Sequence, residues 1–300
     1  MTNVVFLLAQ RLHLLDLAGP AQAFSTAADL GAGYTLHYVG EQEDIVTTQG
    51  LPLRAGLDWP DLDDADLIVV PGWRRARPTA FAGFSDATLD RVRAFHDLGG
   101  TVASVCAGAF ALARAGLLDG RRCTTHHDLQ DDLAHRHPAA SVVRDVLYVV
   151  DGRVVTSAGI ASGIDLALHL LSVWHGPAFS ARVAREMVVY ARRNGHEQQA
   201  SPMLRHRGHL SDVVHRVQDV IDARFTERLP LAELAAAGGV SERTLTRAFS
   251  RAAGLTPLRY QQLLRLERAE HFIEHGVTVE AAARAVGFED ARMLRRLRAK

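Results

Sequence analysis

The sequence predicts two domains: an α/β doubly wound sandwich at the N-terminus and an all-α double helix-turn-helix domain at the C-terminus. In the first half of the 300-residue chain, short and wholly apolar runs alternate with helical patterns. Such alternation is typical of a mostly parallel sheet that is covered by helices on both faces. No strand pattern follows Asp212. The charge also divides, because residues 1–181 carry 13 Lys and Arg against 20 Asp and Glu, whereas residues 204–300 carry 17 against 12.

Apolar strands and helical segments follow one another through the N-terminal half. The predicted strands are Val4–Leu8, Tyr34–Val39, Leu67–Val70 and Thr101–Val105. The predicted helices are Leu15–Leu30, Ser85–Leu98, Leu166–Trp174 and Phe179–Tyr190. Two β-branched stretches around Asp151-Gly152 predict a hairpin. We therefore expect the parallel sheet to carry an antiparallel appendage.

A polar stretch rich in Gly and Gln follows residue 190 and predicts a linker. We expect an N-terminal domain over residues 1–190, a linker over residues 191–211 and a C-terminal domain over residues 212–300. The zero net charge of the whole chain hides a basic second half, and such a half favours contact with a polyanion. Chance variation among solvated surface charges is the alternative.

The segment Leu231–Phe249 has the pattern of a helix-turn-helix. Gly239 supplies the positive φ that a tight turn between helices needs. Ser241 is placed to cap a second helix, whose buried side would carry Leu245 and Phe249. Its opposite side has arginines at i, i+4 and i+8, a spacing suited to base edges and phosphates in a major groove. Those arginines are Arg243, Arg247 and Arg251. An ordinary helical hairpin with a solvated basic face is the alternative.

A second copy of the pattern follows a long predicted helix, Pro257–His275. It consists of a short helix at Thr278–Val286, a turn at Gly287 and a last helix at Ala291–Lys300. Together the two copies resemble the AraC/XylS family of bacterial regulators. The matching residues are Leu231, Leu234-Ala235, Val240-Ser241, Arg243, Leu245, Arg247, Phe249, Gly254, Thr256-Pro257, Tyr260, Arg265-Leu266, Ala269 and Gly287-Phe288.

The resemblance implies that two recognition helices enter successive major grooves of double-stranded DNA. The base-contacting candidates that it gives are Arg243, Thr246 and Arg247 in the first unit and Arg292, Arg295 and Arg296 in the second. Arg251 lies further along the first helix, where a phosphate contact is expected. The chain stops at Lys300, short of the further turn and helix of the family pattern. We therefore expect the second unit to bind DNA less strongly than the first.

Residues Thr101–Gly116 have the layout of a strand, a sharp turn and a helix, with Cys106 in the turn. A cysteine at a helix N-terminus is expected to favour the thiolate, and the alternative is a small buried hydrophobe. His126 follows in the sequence and is a candidate partner for the thiol.

This half resembles the PfpI branch of the class I glutamine-amidotransferase-like superfamily, from about residue 4 to residue 190. The matching motifs are Asp16-Leu17-Ala18-Gly19-Pro20, Val69-Val70-Pro71-Gly72, Cys106-Ala107-Gly108, Ala115-Gly116-Leu117-Leu118-Asp119-Gly120, Thr124-Thr125-His126 and Gly159-Ile160-Ala161-Ser162-Gly163-Ile164-Asp165-Leu166. With its AraC-type tail, the whole chain is similar to GlxA-like regulators. The resemblance implies that Cys106, His126 and Asp16 are the remains of an active site. In such regulators this pocket holds a small effector, often a nitrogen-containing metabolite. The enzymes usually have glutamate where Asp16 stands, so we expect no catalysis.

A polar cluster between His126 and His137 offers a possible metal site. His127, Asp131 and His135 would share one helical face, and such a face can bind a divalent ion. The spacing matches no closed zinc motif. We therefore expect neither a metal nor a cofactor, and we interpret the cluster as a solvated helix.

Two classes of function remain open, and we favour the first. It is a sequence-specific, DNA-binding transcription regulator controlled by a small-molecule effector near Cys106, acting as a homodimer through its N-terminal domain. The second is a cysteine hydrolase or hydratase that acts on a small amide, isonitrile or carbonyl compound. A redox sensor that acts through Cys106 is a further possibility. With two cysteines and no long apolar run, we expect a cytoplasmic protein without membrane contact.

Overall fold

The computed structural model describes residues 1–74, 83–189, 193–197, 199, 206–274 and 276–298. The chain forms two compact units, Met1–Gln199 and Ala200–Lys300. Of the predicted linker, residues 191, 192, 198 and 200–205 lie outside the described residues. Tyr190 and His275, where two predicted helices end, also lie outside them.

A six-stranded sheet forms the centre of the first unit. In chain order the strands of this unit are β1 (Thr2–Leu8), β2 (Tyr34–Gly40), β3 (Asp44–Val46), β4 (Pro52–Arg54), β5 (Leu67–Val70), β6 (Thr101–Val105), β7 (Arg122–Cys123), β8 (Ser141–Val142), β9 (Tyr148–Asp151) and β10 (Val154–Ser157). The order across the large sheet is β2-β1-β5-β6-β10-β9, and every neighbouring pair is parallel except β10 and β9. The predicted parallel sheet and its antiparallel appendage are confirmed. The small sheets β3–β4 and β7–β8 were not predicted.

Helices cover this sheet on both sides. They are α1 (Leu14–Asp29), α2 (Asp86–Asp97), α3 (Ala109–Arg114), α4 (Gln130–Arg136), α5 (Ser162–His175) and α6 (Pro177–Glu186). α1 packs against α5, and α2 packs against α3. β5 and β10 are buried along their whole length, as expected for strands that are covered on two faces. None of the described helices is long and apolar enough to cross a membrane.

The last predicted helix of the first unit is shorter than expected. It ends at Glu186 because Val188 adopts a φ of 56°, which is outside the helical region. The amide of Val189 then donates to the carbonyl oxygen of Ala184 and caps the end of the helix.

The first unit continues past residue 190, where the sequence predicted its end. Arg193 donates from its guanidinium to the buried carboxylate of Asp165 at 2.6 Å, and its backbone amide donates to the same group at 3.0 Å. The carbonyl oxygen of Gly195 accepts from the amide of Leu147 at 2.8 Å. These contacts hold part of the predicted linker on the first unit. The predicted domain bounds, with a linker over residues 191–211, stay a prediction.

The second unit is wholly helical among its described residues. Its helices are α7 (Asp212–Arg224), α8 (Leu231–Gly238), α9 (Glu242–Ala253), α10 (Pro257–Glu274), α11 (Val279–Ala285) and α12 (Ala291–Arg298). Two apolar cores lie within it. The first contains Val214, Val217, Ile221, Leu234, Leu245, Phe249 and Tyr260, and the second contains Ala282, Ala283, Val286, Phe288, Leu294 and Leu297. Each core belongs to one helix-turn-helix unit, so the predicted double unit is confirmed.

Candidate effector pocket and nucleic-acid interface

Strand β6 leads into a sharp turn at its carboxyl end, and Cys106 is the first residue of that turn. The φ of Cys106 is 55°, a conformation that residues other than glycine rarely adopt. Residues Cys106–Gly108 form a single turn of 3-10 helix, and α3 follows at Ala109. A Cβ atom at Gly108 would overlap the carbonyl oxygen of Val70, so only glycine fits there. The predicted strand-to-helix turn at Cys106 is confirmed.

Two further glycines bring Asp16 and Cys106 together. A Cβ atom at Gly72 would lie 2.5 Å from Oδ2 of Asp16 and 2.8 Å from Cβ of Cys106. A Cβ atom at Gly159 would overlap Cβ of Cys106 and lie 3.0 Å from Oδ1 of Asp16. The carboxyl group and the thiol therefore lie side by side between two backbone segments that have no side chains of their own.

Asp16 is wholly buried, which is rare for a carboxyl group without a charged partner. Neither of its oxygens has a hydrogen-bond partner of good geometry among the described residues. Burial raises the pKa of Asp16 to about 7, against smaller lowering effects of the Gly72 amide and the Cys106 thiol, which face it. The protonated and the charged forms of the carboxyl group are therefore both populated near neutral pH.

The Cys106 thiol is 5% exposed. Burial, and after it the neighbouring Asp16 carboxylate, raises the pKa of Cys106 far above its usual value. The expected preference for the thiolate is wrong here, because loss of hydration outweighs the favourable field of the helix N-terminus. The thiol is neutral, and the alternative of a small buried side chain describes it better.

His126 lies beside the sharp turn at Cys106, the elbow, and makes no hydrogen bond to the thiol. The hydroxyl of Thr125 donates to the carbonyl oxygen of Cys106 at 2.7 Å, which fixes the segment. The His126 ring packs against the ring of His127 at a tilt of 32°, with 4.2 Å between centroids, and its Nδ1 accepts from the amide of Asp128 at 3.4 Å. No hydrogen bond or ion pair among the described residues joins His126 to Cys106. The thiol has a carboxyl group, rather than an imidazole, as its polar neighbour.

His13 is a site residue that the sequence did not reveal. It precedes α1, and its amide donates to the carbonyl oxygen of Gly72 at 2.9 Å. Burial, and then Arg74, lowers the pKa of His13. Burial, then His127, and to a smaller extent His13, lowers the pKa of His126. Two imidazoles that are neutral at pH 7 therefore lie near the elbow. A lone histidine before a helix gives no sequence signal of this kind.

In the second unit, α8 and α9 form the predicted helix-turn-helix. Gly239 between them has a φ of 69° and a ψ of 31°, which is the left-handed conformation expected there. The hydroxyl of Ser241 accepts from the amide of Thr244 at 3.3 Å and caps α9. Leu245 and Phe249 are wholly buried. The turn, the cap and the buried side of the second helix are as predicted.

The arginines of α9 lie on its solvent side. Arg243, Arg247 and Arg251 are exposed, and none of them takes part in an ion pair with a described residue. Thr246 differs from the other candidates, because its hydroxyl donates to the carbonyl oxygen of Glu242 at 2.9 Å. Its hydrogen-bonding capacity is partly used within its own helix.

The candidates on α12 are less free. Arg292 pairs with Asp290 at 3.2 Å, and Arg295 pairs with Glu280. Arg296 is exposed and has no ion pair among the described residues. Among the candidate arginines, α12 therefore presents fewer unpaired guanidinium groups than α9.

Comparisons with known proteins agree with the two predicted domain types. The model of the DJ-1/PfpI family matches residues 2–173. The chain belongs to the DJ-1/PfpI family. A helix-turn-helix domain model matches residues 234–300. The chain is 28% identical to the HTH-type transcriptional regulator GbdR of Pseudomonas aeruginosa over 293 residues, which are 95% of this chain and 78% of GbdR.

Two further similarities point in different directions. The isonitrile hydratase of Pseudomonas putida is 36% identical over 172 residues, which are 56% of this chain and 70% of the hydratase. The crystal structure of an AraC family transcriptional regulator from Pseudomonas putida matches with a TM-score of 0.53 and 22% identity, over 62% of this chain and 100% of that one. At that identity the match shows the fold alone. The combination of a DJ-1/PfpI domain and an AraC-type helix-turn-helix is confirmed.

The polar cluster of the DJ-1/PfpI domain does not form the predicted helical face. His127 lies in a 3-10 turn, and α4 begins only at Gln130, so His127 does not align with Asp131 and His135. Asp131 pairs with Arg144 at 2.5 Å. In the described part of the chain, the potential metal ligands whose atoms lie within 4.8 Å of one another are His126, His127 and Asp128. The expectation that the protein binds no metal stays a prediction.

Gln199, at the end of this domain, lies beside the elbow segment. Its side-chain amide donates to the carbonyl oxygens of Thr125 and Val146, each at 3.0 Å. Its backbone amide donates to the Asp145 carboxylate at 3.1 Å. The residue at which the chain leaves the domain is thus bonded to the segment that supports Cys106. Gln199 lies in the predicted linker, and its sequence context gives no sign of this contact.

Proposed function

We propose that the protein is a sequence-specific, DNA-binding transcription regulator whose DJ-1/PfpI domain binds a small-molecule effector. The exposed arginine stripe of α9 carries this proposal. Arg243 and Arg247 lie one turn apart near the start of the helix, the end that reaches base edges in helix-turn-helix docking. Neither pairs with a described acid, so both are available to guanine or phosphate. The similarity to the regulator GbdR supports the same function.

The effector is proposed to bind beside Asp16 and Cys106. Keeping a carboxyl group buried without a full set of hydrogen bonds is costly, and such groups are concentrated at functional sites. A cationic nitrogen of the effector would favour the carboxylate and lower the pKa of Asp16 from about 7. A small nitrogen-containing metabolite therefore suits this pocket.

We propose that effector binding to the first unit changes DNA binding by the second unit through the chain segment that joins them. Gln199 is bonded to Thr125, next to the elbow. At the other side, Nδ1 of His206 donates to the carbonyl oxygen of Ala253, the last residue of α9, at 2.9 Å. Gln199→Leu removes the side-chain donor and should reduce the effect of ligand on DNA affinity, while the affinity without ligand stays unchanged. An unaltered ligand effect, measured by fluorescence anisotropy with the effector found in a metabolite screen, would contradict this route.

We further propose a homodimer, formed through the N-terminal domain, in the cytoplasm. Two linked copies combine two weak half-site contacts into one strong one. Light scattering at micromolar concentration should give twice the mass of the chain. The mass of a single chain would contradict the dimer.

The DNA-binding proposal is tested by selecting bound fragments from the source genome with the full chain. A regulator should enrich a common site, and its binding should weaken steeply with salt because phosphate contacts release counterions. The double variant Arg243→Ala, Arg247→Ala should lose the enrichment. Early elution from heparin together with no enriched fragment would refute the proposal.

A cysteine hydrolase or hydratase is the second candidate function. The similarity to an isonitrile hydratase and the adjacent Asp16 and Cys106 favour it. We prefer the binding role, because burial keeps the thiol neutral. Turnover of a small amide, isonitrile or carbonyl compound by the wild type, abolished by Cys106→Ser, would establish the enzyme. No turnover, with Cys106→Ser changing only the effector response, is the result expected of a regulator.

A further inference from the structure

We propose that Arg265 fixes the two helix-turn-helix units relative to each other and so sets the distance between the two DNA segments that the protein recognises. This inference rests on the proposed DNA-binding function. It concerns only the compact unit Ala200–Lys300, which contains both helix-turn-helix units.

The guanidinium of Arg265 bonds to the backbone of both helix-turn-helix units. Nε donates to the carbonyl oxygen of Phe225 at 2.6 Å, and Nη2 donates to that of Glu227 at 2.7 Å. Both acceptors lie in the loop before α8, in the first helix-turn-helix. Nη1 donates to the carbonyl oxygen of Gly287 at 2.7 Å, in the turn before α12 of the second. The Phe288 ring lies 5.6 Å from the guanidinium carbon.

The two units meet closely at this point. Phe225 packs against both apolar cores. Gly287 has a φ of 84°, and a Cβ atom there would overlap the carbonyl oxygen of Thr226. Gln261, one turn before Arg265 on α10, donates to the carbonyl oxygens of Phe225 and Glu227 but not to the second unit. Arg265 therefore bonds to both helix-turn-helix units and links them.

The geometry of these three hydrogen bonds requires arginine. A guanidinium is a planar group whose donors point in fixed directions, whereas an ammonium is a compact charge on a flexible stem. No carboxylate among the described residues pairs with Arg265, so three carbonyl oxygens set its orientation. Charged donors form stronger and shorter hydrogen bonds than neutral ones. Removing Arg265 leaves the three carbonyl oxygens in place and releases the constraint between the units.

The position of α12 relative to α9 decides which DNA spacing the protein accepts. Two recognition helices on one face of the duplex reach major-groove segments about one helical turn apart. Each inserted base pair turns the second segment by about 35° around the duplex axis. A rigid pair of units should lose the second contact after one or two insertions, and a loosely joined pair should adjust.

The test measures how affinity depends on spacing. The wild-type chain first selects its site from a random duplex pool. Fluorescence anisotropy then gives the affinity for that site with zero, one or two base pairs inserted between its two segments, and for the first segment alone. The variants are Arg265→Met, Arg265→Lys and Arg259→Met. The last removes a positive charge from the same helix, and its side chain has no hydrogen bond or ion pair among the described residues.

The wild type should lose about tenfold or more in affinity on insertion, because a rigidly linked second contact multiplies the first. Arg265→Met should bind the uninterrupted site less tightly but lose only about threefold or less on insertion. Arg265→Lys should behave like Arg265→Met. Arg259→Met should keep the full spacing dependence of the wild type. Binding of the first segment alone, at wild-type strength, shows that the first unit of a variant is folded.

Several results would overturn the inference. Equal spacing dependence in the wild type and both Arg265 variants would mean that other contacts fix the units. A wild-type site with one segment only would also overturn it, while leaving the DNA-binding function intact. Failure of the wild type to enrich any site would remove both proposals. If Arg265→Met does not bind the first segment, Arg265→Lys decides the comparison.

Discussion

Replacing Asp16 by Asn should stabilise the first unit, and by more at high pH than at low pH. Asp16 is wholly buried, neither of its oxygens is well bonded, and its pKa is raised from 3.8 to about 7. Asparagine has nearly the same shape and does not ionise. The substitution therefore removes the cost of burying a charge while it keeps a polar group at the same position.

The pH dependence follows from the direction of this shift. The folded protein holds the Asp16 proton more tightly than the unfolded chain does. The stability that this adds is complete below pH 3.8 and is lost as the pH rises to about 7. Each pH unit in that window costs about 1.4 kcal/mol. If the two side chains pack equally well when both are neutral, Asp16→Asn gains about 2 kcal/mol at pH 5 and about 4 kcal/mol at pH 8.

Urea unfolding at the two pH values measures this difference. The three tryptophans, Trp59, Trp73 and Trp174, all lie in the first unit, so their fluorescence reports on that unit alone. Asp29→Asn is the control, because it makes the same chemical change at an exposed position of the same helix. Its effect should be small at both pH values. The reasoning fails if the gain from Asp16→Asn is the same at pH 5 and pH 8, or if the variant is less stable than the wild type at pH 8.

Three further predictions concern the interface, the elbow and the end of the first unit. Arg243→Ala and Arg247→Ala should each weaken binding to the selected DNA site by about 1–3 kcal/mol and change binding to a scrambled site little. Arg251→Ala should weaken binding to both sites equally. Fluorescence anisotropy that shows no weakening for the first two variants would remove α9 from the interface. Gly108→Ala should destabilise the first unit by about 3 kcal/mol or more, because its Cβ overlaps a β5 carbonyl oxygen, and an unchanged urea midpoint would contradict that packing. Arg193→Met should destabilise the first unit by about 2–3 kcal/mol, because it leaves a buried carboxylate unpaired. A chain that ends at residue 189 should be less stable than one that ends at residue 199 by a similar amount.

The central strands of the sheet were predictable because their burial on two faces leaves a direct mark on the sequence. β5 and β6 are apolar runs bounded by acidic residues, Pro or Gly, and the structure gives both at the predicted bounds. The strands β7 and β8 have only two residues each, which is too short for any periodicity. The end of α6 was also not predictable, since the positive φ of Val188 is an unfavourable conformation for a β-branched residue.

The elbow shows where a residue pattern stops being informative. Its motif gave the sharp turn at Cys106 and the nearby acid, since both depend on glycines at fixed positions. It could not give the burial of Cys106, which reverses the expected chemistry of the thiol. The pKa of Cys106 depends on how completely neighbouring segments exclude water, and those segments come from distant parts of the chain. The sequence likewise gave His126 as a candidate partner for Cys106 without showing that its ring would pack against His127 instead.

Arg265 illustrates a deeper limit. It belongs to the family pattern that identified the second unit, and its spacing from Leu266 and Ala269 is typical of an ordinary amphipathic helix. Its three partners are backbone carbonyl oxygens, in residues 22 to 40 positions away. Every residue has such a carbonyl group, so the partners leave no side-chain signature that could be recognised in the sequence. A contact of this kind becomes visible only once the two helix-turn-helix units are placed side by side, and it is there that their relative position is fixed.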